Sequence, residues 1–340
     1  PESPNPMKNY ALYAIGNALV DTEYEVTDAK LQTMGVSKGH MTLVDAPARA
    51  HLLAQLDGQH SRQTGGGSAG NTVVAFAQFG GSAYYSCRVA DDALGKFYAD
   101  DLRTNGVDTN LHHPTEGLVC GATTGSCLVL VTPDAERTMC TFLGTTAELD
   151  ASALYSPAIA TAGVYYMEGY LAASPTGLAA ALEGRAHAVA HQVPLALTLS
   201  DVSMINFCRA GLDALLGEGV DYLFCNEEEA QVWCGSADET AIAKTLSGLA
   251  KTICLTRGAK GTRIIEAGQT VDVPAVAITA VDANGAGDMF AGAFLYGVSH
   301  GMAATQATKL ANKAAAAVVS QYGNRLTTAR VQALLAEASV

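Results

Sequence analysis

Residues 281–294 read Val-Asp-Ala-Asn-Gly-Ala-Gly-Asp-Met-Phe-Ala-Gly-Ala-Phe, a turn of small residues running into an apolar helix. Gly285, Ala286 and Gly287 offer backbone N–H groups at a helix start, where the partial positive charge favours a phosphate or the charge that develops while one is transferred. Asp288 at the same mouth can take the proton of an attacking hydroxyl, since phosphoryl transfer needs positioning and charge neutralisation more than covalent chemistry. The competing reading is an ordinary turn followed by a helix-start acid.

A second glycine-rich entry lies far upstream: Gly65-Gly66-Gly67-Ser68-Ala69-Gly70-Asn71, followed by the apolar run 72–79. Gly65, Gly67 and Gly70 formally satisfy G-x-G-x-x-G, and Asp91 and Asp92 follow about twenty residues later, as a dinucleotide-binding turn would require. That fingerprint needs a buried strand immediately before it, and residues 56–64 are too polar to form one. The alternative is that these glycines bring backbone against a polyhydroxylated substrate while Asn71 hydrogen-bonds its hydroxyls.

The elements that must carry these turns follow a regular rhythm. Short apolar runs at 11–15, 83–87, 164–167, 195–199, 222–225 and 252–256 read as strands, separated by helical periodicity at 72–79, 94–104, 176–191 and 239–249 and followed by helices at 289–298 and 303–320. Alternation of this kind predicts a layered, doubly wound α/β fold with a mainly parallel sheet. Residues 125–131 and 137–143 break the rhythm as a hairpin around Thr132-Pro133-Asp134-Ala135-Glu136, and with 20–44 they are expected to form a small antiparallel sheet standing off the body as a lid. No internal repeat or composition shift marks a second independent domain.

Bulk composition narrows the partners. The 340 residues are 49% hydrophobic and 16% charged, enough apolar material for a large core, and the formal net charge of −13 would repel a nucleic-acid backbone. Eight cysteines are scattered without a C-x-x-C pair, as reduced core thiols would be. No apolar run is long enough for a membrane span and no signal-peptide pattern opens the chain, which points to a cytoplasmic location; the proline-rich stretch 1–6 reads as an addition ahead of Met7. His187 and His191 stand four apart on a helical stretch, but neither H-E-x-x-H nor a third ligand accompanies them, and His112-His113 carries no expected role.

Taken together, Gly66-Gly67-Ser68-Ala69-Gly70-Asn71 and Asp282-Ala283-Asn284-Gly285-Ala286-Gly287-Asp288 resemble the two signatures of the ribokinase/PfkB carbohydrate and nucleoside kinases, in matching order and separation. The resemblance spans nearly the whole chain, includes Gly16-Asn17-Ala18-Leu19-Val20-Asp21, and is strongest toward the adenosine-kinase-like branch. It implies one ribokinase-like three-layer α/β domain over residues 1–340, with a lid from about 20–44 and 117–146. Asp288 would be the catalytic base, and the backbone of Gly285, Ala286 and Gly287 the anion hole. Asn17, Asp21, Gly66, Gly67 and Asn71 would hold substrate hydroxyls, and Arg137 would be a lid arginine approaching the transferring phosphate.

On the nucleotide side the resemblance implies Asn226, Thr256, Arg257, Gly258, Gly261 and Asn312 around ATP, with Glu229 of the Asn-x-x-Glu element positioning Mg2+ through water. Asp282 and Asn284 are candidates for a monovalent cation such as K+, although Ala283 replaces the Thr that relatives usually carry and removes a hydroxyl from the turn. The implied activity is ATP-dependent phosphorylation of a primary hydroxyl of a ribonucleoside, adenosine first. A sugar kinase acting on ribose, fructose or a keto-sugar acid is the alternative, and a catalytically weak nucleoside- or sugar-binding protein a further one. The expected assembly is a monomer or a homodimer formed through the lid.

Overall fold

A computed structural model describes residues 9–39, 41–59, 61–113, 117–134 and 136–338. The stretch 1–6 and Ala135 of the hairpin turn lie outside the described residues. Nine strands form the main sheet in the spatial order Gln269–Val273, Thr262–Glu266, Ala250–Thr256, Val220–Asn226, Leu195–Thr198, Tyr165–Glu168, Leu12–Ile15, Ala83–Ser86 and Val107–Thr109. Every pairing from Ala250–Thr256 to Val107–Thr109 is parallel, and the other two strands add an antiparallel edge. All six strands expected from the apolar runs are present in this sheet.

Side-chain alternation divides the core into two layers. Leu12 and Ala14 point into one cluster with Val73, Phe76, Phe290, Phe294 and Leu310, while Tyr13 and Ile15 point into the other with Ile159, Ala180, Leu212, Leu215 and Trp233. Each fully buried residue of this size contributes about 1.5–3 kcal/mol relative to exposure, so the covered sheet is the stable frame on which loops at its rim are fixed. Parallel strands also bring their C-terminal ends to one edge, and that edge is where an open α/β sheet collects ligand-binding turns.

The second sheet has five strands in the order Met41–Leu43, Arg137–Phe142, Ser126–Val131, Leu19–Glu25 and Ser61–Gly66. Its pairings correct the expectation of an antiparallel sheet. Ser126–Val131 with Arg137–Phe142, and Leu19–Glu25 with Ser61–Gly66, are antiparallel; Leu19–Glu25 with Ser126–Val131, and Met41–Leu43 with Arg137–Phe142, are parallel. The parallel pairs join segments separated by long excursions of chain, which can return in the same direction where a tight hairpin cannot. One face is covered by the helices Asp28–Met34 and Ala46–Gln55, through Leu31, Met34, Leu52, Leu128 and Leu130.

Residues 56–64 hold no buried strand of the parallel sheet, as their polarity predicts. Ser61–Gly66 is a strand despite its polarity, because it lies at the edge of the small sheet with most of its residues exposed or half-buried. It pairs antiparallel to Leu19–Glu25 and is not a buried strand of the parallel sheet, so the glycines after it do not occupy the dinucleotide-binding position.

One close approach sets the geometry of the rim. The helices Ser68–Gln78 and Ala286–Ser299 pack against each other at Gly292, where an added Cβ would come within 2.6 Å of Thr72 O and 2.8 Å of Ala75 Cβ. Only a residue without a side chain allows that distance, and it brings the N-terminal turns of the two helices together.

Candidate active site

The two glycine-rich turns, more than two hundred residues apart in sequence, meet through Asp288. Ser68 Oγ donates to Asp288 Oδ1 at 2.7 Å, and Asn71 Nδ2 donates to Oδ2 at 2.9 Å. Gly285 begins the helix in the left-handed region, φ 77°, with no side chain capping the turn, and the first i to i+4 bond runs from Met289 N to Gly285 O at 2.9 Å. The amides of Gly287 and Asp288 therefore lie ahead of the intrahelical ladder. Nothing lies within 4 Å of where a Cβ on Gly287 would sit. The mouth thus combines unprotected donors, open space and a half-buried carboxylate.

Burial raises the Asp288 pKa, and the bonds from Ser68 and Asn71 together with the charge of Arg325 oppose that rise. These three favour the ionised form, the form able to accept a proton. Ser68 and Arg325 were not singled out from the sequence. Ser68 sits inside the first signature and could have been chosen as a donor one helical turn before Thr72; Arg325 lies in a C-terminal loop with no pattern to mark it.

Asp21 and Gly66 are neighbours, since a Cβ on Gly66 would come within 2.7 Å of Asp21 Oδ1. Asn324 Nδ2 donates to Asp21 Oδ2 at 3.0 Å. Burial pushes the Asp21 carboxyl up to about 7, against the pull of Arg325 and Arg137. Asn17 and Gly67 meet through backbone, and the turns that carry them are held together by a residue that sequence reasoning missed, Glu168. At the end of Tyr165–Glu168, this fully buried carboxylate accepts from Asn17 N at 2.7 Å and from Ala69 N at 2.8 Å, clamping the turn after the first strand to the start of Ser68–Gln78. Its burial raises its pKa to about 7 despite those two donors.

Arg137 pairs with two carboxylates. Its Nη2 lies 3.0 Å from Glu23 Oε2 and 3.1 Å from Asp282 Oδ2, so it links the small sheet to the turn just before the helix mouth. Asp282 is otherwise occupied: Oδ1 accepts from Asn284 N at 3.0 Å and Oδ2 from Gly323 N at 3.1 Å. With a guanidinium and two amides around it, the Asp282 side chain does not fit a bare monovalent cation in this arrangement. Ala283 is exposed, and its carbonyl accepts from Ala286 N at 3.3 Å.

The remaining residues form a second group around the ends of Val220–Asn226 and Ala250–Thr256, where Asn226 and Thr256 are register partners. Asn226 and Glu229 make a reciprocal capping box: Glu229 N donates to Asn226 Oδ1 at 2.8 Å, while Asn226 N and Nδ2 donate to Glu229 Oε2 and Oε1 at 3.0 and 2.8 Å. Burial raises Glu229 to about 7. Thr256 Oγ1 donates to Cys225 O at 3.4 Å, and Gly258 and Gly261 form the following turn. Arg257 reaches away to Asp272 at 3.0 Å. Asn312 is spent internally, accepting from Thr262 Oγ1 at 2.7 Å and donating to Val273 O and Pro274 O at 3.3 and 3.1 Å. The Tyr170 phenol is raised by burial and by the carboxylates of Asp201, Asp288, Glu168 and Glu229.

Among the described residues, no cluster of three or more His, Cys, Asp or Glu could hold a metal, and no helix is long and apolar enough to cross a membrane. His191 Nδ1 lies 2.9 Å from His187 O, so the pair does not converge on a metal position. A cleft of about 610 Å³ opens beside Leu43, Phe142 and Leu143 and the turn 119–123, and none of the candidate residues lines it.

The buried acids give a stability prediction. Asp21, Glu168 and Glu229, whose ordinary values are 3.8, 4.5 and 4.5, are each raised to about 7 in the fold. A raised carboxyl means the native state holds its proton more tightly, so its contribution is full below the unfolded value and is lost as pH rises through about 7. Thermal melts should show Tm falling between about pH 4 and pH 7 and levelling above that, with a shallower fall for Glu168→Gln; a Tm rising across that window would contradict the assignment.

A parallel α/β core, a small mixed sheet at its rim and a helix mouth that can receive phosphate define an ATP-dependent phosphotransferase acting on an alcohol group. The comparisons agree: residues 39–329 match the model of the pfkB family carbohydrate kinase, and the chain belongs to that family. An adenosine kinase structure from Sinorhizobium meliloti is 34% identical, with TM-score 0.86, over 97% of this chain and all of that one. A probable sugar kinase protein from Rhizobium etli is 32% identical, with TM-score 0.87, over 98% and 99%. Adenosine kinase of Schizophyllum commune is 28% identical over 96% of this chain and 100% of its own length. The fold is ribokinase-like, and a solved structure that shares it, a putative ribokinase from E. coli 18% identical to this chain, holds ATP and Mg2+.

Proposed function

We propose that this kinase phosphorylates a primary hydroxyl of a ribonucleoside, with adenosine as the first candidate. The observation that carries the reading is Asp288, held by Ser68 and Asn71 at an uncapped helix mouth beside the substrate turn. Asp21, with Gly66 backbone against it, offers a carboxylate to a vicinal diol, and Asn17 is fixed on the other side by Glu168.

ATP supplies the phosphoryl group and Mg2+ neutralises its oxygens. The mouth fits such a group, because its amides have no capping side chain and space is open beside Gly287. Asp288 accepts the proton of the acceptor hydroxyl as its oxygen attacks, and the Gly285 and Gly287 amides stabilise the negative charge that grows at the transferred group, the Ala286 amide being held by Ala283 O. Asn226 and Glu229 would act on Mg2+ through its water shell, since the capping box already engages their side chains. The small sheet acts as a lid, with Arg137 joining it to Asp282 and excluding water from the reacting atoms.

A sugar acceptor is the second reading, favoured by the likeness to the probable sugar kinase protein. Both use the same base and mouth. ADP release measured over a panel of nucleosides and sugars with Mg2+ separates them: the expected result is turnover with adenosine and little with free ribose or fructose. Turnover confined to sugars would replace the nucleoside reading, and none with either class would overturn both.

A further inference from the structure

Arg325 ends a line of polar contacts that reaches Asp288 through one intermediate. It lies in the loop between the helices Ala304–Val319 and Thr328–Ala338, with its side chain largely buried. Its Nη1 donates to Asp101 Oδ2 on the helix Ala93–Thr104, and its Nε donates to Asn71 Oδ1 at 2.8 Å. Asn71 Nδ2 then donates to Asp288 Oδ2 at 2.9 Å.

This order of contacts has one solution. A guanidinium carries donors only and an ionised carboxylate acceptors only, so an amide placed between them must turn its oxygen to Arg325 and its nitrogen to Asp288. Without the arginine the Asn71 amide can rotate by half a turn and set its oxygen against the carboxylate. That would exchange a hydrogen bond to a charged group for a repulsive contact. Packing alone does not account for the residue, because Arg325 Nη2 is buried without a hydrogen-bond partner, a cost an apolar side chain would avoid.

We propose that Arg325 is a positioning residue for the transfer reaction, orienting the Asn71 amide and through it the carboxylate of Asp288. The proposal rests on the reading of Asp288 as the proton acceptor. Facing Asp288 are Ser68 and Asn71 from their helix, Asp21 from the small sheet, Tyr166 and Glu168 from one strand of the main sheet, Tyr170 just after it, and Arg325. Arg325 is the cation in that set, and its charge lowers the Asp288 pKa.

The test is a carboxyl carbon-13 NMR titration of Asp288, assigned with Asp288→Asn, compared between the natural protein, Arg325→Met and Arg325→Lys. Arg325→Met should raise the Asp288 midpoint by about one pH unit, a tenfold change in proton affinity, and move the acid limb of kcat by the same amount. Arg325→Lys, which keeps the charge but not the flat fork, should fall between. Arg325→Met with Asp101→Asn removes both partners of the buried ion pair and should show the same rise, so it decides the matter if the single variant does not fold. Superimposed titrations in folded protein would reduce Arg325 to a structural role. Absence of turnover in the natural protein would overturn the reading of the reaction, whereas the titration reads the relay without turnover.

Discussion

Replacing Asp288 with Asn lowers kcat by about 10³-fold and leaves the Kd of the acceptor within about tenfold, because a proton acceptor acts in the transition state and contributes little to ground-state binding. Asparagine preserves the shape and can still accept from Ser68 or Asn71, so the fold should survive. Its amide cannot take the hydroxyl proton. The expected loss is about 4 kcal/mol of transition-state stabilisation, against about 1.4 kcal/mol for the permitted change in binding. Steady-state kinetics with equilibrium binding of the acceptor separates the two. Equal losses in kcat and affinity would mean that Asp288 only grips the substrate.

Gly285→Ala should lose both rate and stability. Gly285 has φ 77°, and a Cβ there would strike the backbone carbonyl of Asn324, the residue whose side chain holds Asp21. The left-handed conformation costs a non-glycine residue about 1–3 kcal/mol, and the clash displaces the helix mouth and Asn324 together. A fall in kcat of about 10²-fold is expected from misplaced anion-hole amides, with a lower Tm. Gly287→Ala separates the causes. A Cβ at Gly287 meets open space, and alanine in a helix is favoured over glycine by about 0.5–1 kcal/mol, so Tm should hold or rise while the methyl group intrudes where a phosphoryl group would sit. An unchanged rate in Gly287→Ala would count against the mouth as the site of transfer, whatever Gly285→Ala does.

Legibility in the sequence followed the kind of interaction involved. The six buried parallel strands were readable because a strand covered on both faces must be mostly apolar, as residues 195–197 and 253–255 are. Ser61–Gly66 was not, because an edge strand of a small exposed sheet is under no such demand. The edge strand Gln269–Val273 escaped notice for a related reason, being exposed at four of its five residues. The direction of pairing in the small sheet was misjudged because adjacency in sequence suggests hairpins, while two of its pairings join distant segments.

The sequence by itself determined the layered parallel core, the two glycine-rich helix entries and Asp288 as the acid at one of them, since local periodicity, turn chemistry and charge sit within a few residues of each other. Only the tertiary structure decided that Ser68 and Asn71 hold that acid with Arg325 behind Asn71, that Glu168 clamps the turns carrying Asn17 and Ala69, and that Arg137 spends its charge on Glu23 and Asp282. The physical reason is that these contacts join residues up to 254 positions apart, and no local pattern encodes which side chains a packed sheet and the Gly292 helix crossing will bring within 3 Å.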